Sequence, residues 1–217
     1  MANSDAAQTA AQRNILSSLF ELRHVREINV FLALIFVGAL ISFASTYFLT
    51  TNNLMGVSRA FSLTAIMSIG MVMVIITGGI DLSVGSAMGL SGLVTALAFD
   101  AGLPIGVAVS SGLGVGLAFG LTNGLLITAI GLPPFIATLG TLSIGRGVMY
   151  MITHGVPVTP DTPDAFSFIG QGYISFVPVP VVIMLLLMVV FALMMSRTRF
   201  GRHVYATGGN EHAARLS

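Results

Sequence analysis

Lysine, cysteine and tryptophan are missing from this 217-residue sequence, and charged residues make up only 8% of it. Each absence excludes something. Without cysteine there are no disulfides, no thiolate metal ligands and no cysteine nucleophiles. Without lysine these residues cannot supply the Gly-Lys-Ser/Thr loop that cradles nucleotide phosphates, so any use of ATP belongs to a partner. No basic stripe runs along the chain and the net charge is +1, which leaves nucleic-acid binding without support. Soluble domains carry about 25% charged residues. A water-facing surface cannot be built from a third of that.

What is present is apolar. Hydrophobic residues are 55% of the chain and the mean hydropathy is +0.95. No Asp, Glu or Arg occurs over 28–58, 60–80, 82–99, 101–145 or 165–196. About 20 apolar residues in a helix cross the roughly 30 Å of hydrocarbon in a bilayer. The expected fold is therefore all-α, a polytopic membrane protein of about six helices in contact with lipid. The spans are placed at roughly 28–49, 57–77, 82–99, 104–130, 134–153 and 178–196. Pro104, Pro134 and Pro178 open spans, where a missing N–H is not needed. Pro157, Pro160 and Pro163 fall with Asp161 and Asp164 in a loop between the fifth and sixth.

Residues 1–27 are polar and end near Arg23, His24 and Arg26. The apolar run behind them is longer than the roughly 7–15 residues of a signal-peptide core. An uncleaved first span behind a cytoplasmic tail is expected. Arginines in short loops stay on the cytoplasmic side. With both ends inside, Arg13, Arg23, Arg26, Arg197, Arg199, Arg202 and Arg215 are all cytoplasmic, and Arg59 alone lies outside. Asp81 then sits at the inner end of a tight hairpin between the second and third spans, and the 154–177 loop faces outward.

Three features invite a chemical reading. The stretch GGIDLSVGS (78–86) places one carboxylate, Asp81, among Gly78, Gly79 and Gly85. Asp81 reads as a cap for the third span, as a pathway carboxylate, or as an interfacial charge with no special task. Gly112, Gly116, Gly120 and Gly124 recur every four residues, a spacing that lets neighbouring helices approach closely and makes the fourth span a buried, central one. Arg146 lies twelve residues past Pro134, roughly 18 Å along a helix. It reads either as a pathway residue or as a charge that snorkels to an interface because Gly145 and Gly147 break the helix. Thr122, Asn123, Thr138, Thr141 and Ser143 could line the same interior or simply bond between helices. His24, His154, His203 and His212 show no metal-ligand spacing, and no converging catalytic set is visible. No metal or other cofactor is expected. Beyond Ser196 the character changes, and Asn210 with Glu211 reads as the start of a short helix.

Three segments carry a resemblance: VIITGGIDLSVGS (74–86), NGLLITAIGLPPFIATLGTLSIGRG (123–147) and RTRFGRHVYATGGNEHAARLS (197–217). From about residue 30 onward the chain resembles the permease subunit of bacterial ATP-binding cassette importers of the ribose, xylose, arabinose and galactoside group. The resemblance implies a multi-pass protein of the bacterial inner membrane that forms the path for a monosaccharide such as ribose. It implies a second permease protomer, cytoplasmic ATPase subunits and a periplasmic sugar-binding protein as partners. It makes 197–217 the cytoplasmic loop that enters the ATPase, with Asn210, Glu211, Ala213 and Ala214 in its coupling helix. Members of that group continue through several more spans, so the chain reads as truncated after this point. The alternative class is an ion- or proton-coupled carrier of a small polar solute, with Asp81 or Arg146 as the coupling charge. A membrane enzyme lacks the residues it would need.

Overall fold

The structure, a computed structural model, describes residues 26–216. The tail expected over 1–27 lies outside the described residues except for its last two, which open the first helix. The chain divides into two compact units, one ending at Gly56 and the other beginning at Val57.

In the first unit, α1 covers Arg26–Ala44. It stops five residues short of the expected boundary at 49, for a local reason. The Thr50 hydroxyl donates to the Tyr47 carbonyl at 2.8 Å and the Asn53 amide to the Phe48 carbonyl at 2.8 Å. Side chains that satisfy carbonyls in this way offer the backbone an alternative to helix. The next helix, α2, covers Thr51–Ile76 and so begins well before residue 57, taking Asn52 and Asn53 into its first turn.

The second unit continues with α3 (Val84–Asp100), α4 (Ile105–Thr128) and α5 (Pro134–Thr153). Helix α3 packs most extensively against α4, and α5 lies against both. The loop after α5 contains more than sequence led us to expect. It carries a short helix, α6 (Asp164–Gln171), and a two-residue antiparallel pair, β1 (Tyr173–Ile174) with β2 (Val177–Pro178). Helix α7 (Val179–Arg197) follows, then α8 (Arg199–Gly209) and α9 (Glu211–Leu216). Helices α2, α4, α5 and α7 are long and apolar enough to cross a membrane, whereas the apolar part of α1 and all of α3 are shorter. The seventeen residues of α3 reach roughly 25 Å. The all-α membrane architecture is thus present, with four helices of full spanning length among the described residues.

The glycine-lined α4 is not enclosed as expected. Gly112 is buried, and a Cβ there would overlap Thr95 Oγ1 and lie 2.9 Å from the Ser91 carbonyl. Gly116 is in loose contact with Ser91, while Gly120 and Gly124 have open space above them. The neighbouring face of α4, about 100° round the helix from the glycines, presents Leu113, Leu117, Leu121 and Leu125, all exposed. One side of α4 therefore packs on α3 at its Gly112 end, and a leucine stripe faces outward, as a lipid-facing or partner-facing helix requires.

Candidate translocation site

The turn after α2 brings the carboxylate of Asp81 to the start of α3. Gly78 adopts φ +82, a conformation that costs a glycine nothing. The Gly79 N–H returns to the Val74 carbonyl at 2.9 Å, closing the end of α2. Asp81 Oδ1 then accepts from the Ser83 N–H at 2.7 Å and from the Ser83 hydroxyl at 2.6 Å. This differs from a conventional helix cap. Ser83 itself occupies the cap position with no side-chain bond into the first turn, and Asp81 fixes Ser83 from outside the helix.

From Ser83 the hydrogen bonds run across three helices. Asn123 Nδ2 of α4 donates to Ser83 Oγ at 2.8 Å, and Thr141 Oγ1 of α5 donates to Asn123 Oδ1 at 2.7 Å. Every donor in this chain points towards Asp81, so each bond polarises the next and the negative charge is its terminus. Thr138, one turn before Thr141, donates to the Ile80 carbonyl at 3.1 Å and to the Pro134 carbonyl at 2.8 Å. Ser83, Asn123, Thr138 and Thr141 are all buried, Ser83 to 1% exposure. The segments 78–86 and 123–141, far apart in sequence, are thereby bonded to each other.

Close packing completes the arrangement. A Cβ on Gly145 would lie 2.7 Å from Phe119 and 3.1 Å from Ser86. Gly145 therefore permits α5 to approach α3 and α4. It does not break the helix, which is continuous from Pro134 to Thr153. Thr122 and Ser143, which sequence grouped with this set, are exposed and lie outside it.

Beside the network opens a cavity of about 740 Å³, lined among others by Asp81, Asn123, Thr138, Thr207 and Glu211. Sequence assigned Glu211 to the coupling helix and did not join it to Asp81, because the two lie far apart along the chain, and it did not single out Thr207. Glu211 is held by α8 and α9. A Cβ on Gly208 would overlap the Ile76 carbonyl at the end of α2, so α8 ends against α2 with only a glycine between them. Asn210 Oδ1 accepts from the Ala213 N–H at 3.0 Å, the Asn210 carbonyl accepts from the Ala214 N–H at 2.9 Å, and Glu211 pairs with Arg215 at 2.7 Å. The cavity thus carries two carboxylates among apolar neighbours and joins the 78–81 turn to the 199–216 segment.

The other end of the unit is built differently. Phe99 of α3 meets Phe166 of α6 with ring centroids 4.8 Å apart, and Ala98 and Ala108 are buried beside them. Arg59 of α2 donates to the Gln171 carbonyl at 2.9 Å and stands 5.1 Å over the Tyr173 ring. Arg146 joins neither end. It is exposed on the outer surface of α5.

Residues 53–217 match the family model described as the branched-chain amino acid transport system permease component. The chain belongs to this permease family. It is a family of transport subunits rather than catalysts, and the chain is a multi-pass protein of the inner membrane. The ribose import permease protein of Bacillus subtilis (strain 168) is 38% identical over 194 residues, covering 89% of this chain and 60% of the relative. The ribose import permease protein of Escherichia coli (strain K12) is 40% identical over 189 residues, covering 86% and 59%. The D-allose transport system permease protein of the same strain is 39% identical over 185 residues, covering 85% and 56%. The chain spans about three fifths of the length of the ribose permeases it matches. No solved structure matches it.

Proposed function

We propose that this permease forms part of the membrane path of an ATP-binding cassette importer for a monosaccharide such as ribose. The observation that carries the reading is the 40% identity to a ribose import permease across nearly the whole of this chain. The cavity beside Asp81 accords with it. Carboxylates, an amide and hydroxyls side by side offer the hydrogen-bond partners that a hydroxyl-rich solute needs on leaving water. In this reading Asp81, Asn123, Thr138 and Thr141 hold the inner end of the path in shape. Both chain ends are cytoplasmic. Asn210, Glu211, Ala213 and Ala214 belong to the helix that meets the ATPase subunits, and the 154–177 loop meets the periplasmic sugar-binding protein. A second permease protomer supplies the facing half of the path.

The test is uptake of D-ribose into proteoliposomes holding the permease, ATPase and binding protein. Uptake that requires ATP and the binding protein supports the importer. Uptake driven by a proton gradient with neither of them would establish the coupled-carrier alternative instead.

A further inference from the structure

The outer surface of α5 is divided lengthwise. Seen down the helix at 100° per residue, Phe135, Leu139, Ser143, Arg146 and Tyr150 form one exposed stripe. Ile136, Gly140, Ile144, Gly147 and Met151 form a second, and its side chains are wholly apolar. The buried face, with Thr138, Thr141 and Gly145, lies opposite both. The first stripe holds every polar side chain on this exposed arc, Ser143, Arg146 and Tyr150, beside Phe135 and Leu139.

Arg146 decides which surroundings this stripe meets. Among the described residues its guanidinium has no hydrogen bond and no ion pair. It lies seven residues before the end of α5, roughly 10 Å from that boundary, and helical Cβ atoms tilt the other way, towards the N-terminus. Escape to the near interface therefore runs against the direction in which the side chain leaves the backbone. An arginine in this position facing hydrocarbon is costly, and intramembrane charges face water-filled paths or partners.

We infer that the Ser143–Arg146–Tyr150 stripe of α5 lines the aqueous solute path, and that Arg146 hydrogen-bonds a hydroxyl-rich solute within it. Arg146 offers five N–H donors in a fixed fork and no acceptor. This inference rests on the permease reading, but its first test does not.

The chain has no cysteine, so single thiols can be placed without background. Ser143→Cys and Ile144→Cys differ by one residue in depth and lie on different stripes. A charged, membrane-impermeant thiol reagent applied to both sides of membranes holding the full chain should label S143C at least tenfold faster than I144C. Equal rates, or an S143C thiol that resists the reagent, would overturn the assignment, whatever the transporter carries. The second test is D-ribose uptake by the assembled importer. Arg146→Gln should raise the KM about tenfold with kcat little changed, and Arg146→Lys should recover part of the loss. Unchanged KM in R146Q alongside fast labelling of S143C would remove Arg146 from the solute's contacts.

Discussion

Where α2 gives way to α3, buried side chains from the turn, α4 and α5 share one chain of hydrogen bonds that ends on Asp81. Where α3 gives way to α4, the contacts are a pair of phenylalanines, two buried alanines and, one helical turn further in, the seat of Gly112 beneath Thr95. The first end is specified by direction and the second by shape. In a bilayer this matters because lipid tails are as apolar as leucine, so helices associate through close packing and hydrogen bonds rather than by hiding from water. Packing fixes a distance between helices. A hydrogen-bond chain also fixes rotation and register, which the cavity needs if its carboxylates are to face the same space.

The largest effect is expected at the shape-specified end. Gly112→Leu drives a side chain into Thr95 and the Ser91 carbonyl, an overpacking expected to cost about 3 kcal/mol. Gly120→Leu, two turns along the same face with open space above it, should change stability by less than about 0.5 kcal/mol. Thermal unfolding of both variants in detergent checks the pair. Equal losses would show that the glycine repeat acts as a uniform stripe after all.

At the other end, Asn123→Leu removes the link from Ser83 to Thr141. An interhelical bond in a membrane is worth up to about 1.7 kcal/mol. The same melt should therefore show a loss of about 1–2 kcal/mol, smaller than for G112L. A loss exceeding that of G112L would reverse the comparison and make the network the principal support of the fold.

Asp81→Asn is milder than Asn123→Leu. The amide oxygen can still accept from the Ser83 N–H and hydroxyl, so stability should fall by about 1 kcal/mol or less and uptake by the assembled importer should remain near normal. Loss of all uptake with an unchanged melting temperature would give Asp81 a role in moving the solute or a coupling ion.

Much of this was legible in the residues, and the reasons differ by element. Long uncharged runs announce membrane helices because charge in hydrocarbon is costly, and Pro134 and Pro178 mark the starts of α5 and α7 within a residue. Asn123, Thr138 and Thr141 could be singled out because polar side chains in apolar spans need partners, although sequence could not say that Thr122 and Ser143 turn away from them. Glu211 beside Asp81 was not legible, since the contact of Gly208 with Ile76 that brings it there is tertiary. Nor was the partial use of the glycine repeat. Spacing places four glycines on one face, but only the neighbour on that face decides which of them is needed. Proline signals marked where spans begin, but the prolines at 157, 160 and 163, read as a loop, hid α6, which starts directly after Pro163.

The account depends most on the two ends of the bundle lying on opposite sides of the membrane, with the 199–216 segment in the cytoplasm. Ala213→Cys and Asp161→Cys, both at exposed positions of a chain that has no other thiol, test this in intact cells with an impermeant maleimide. The thiol at 161 should react from outside and the one at 213 only after the cells are opened. Labelling at 213 in sealed cells would contradict the orientation, and the docking of this segment on an ATPase with it.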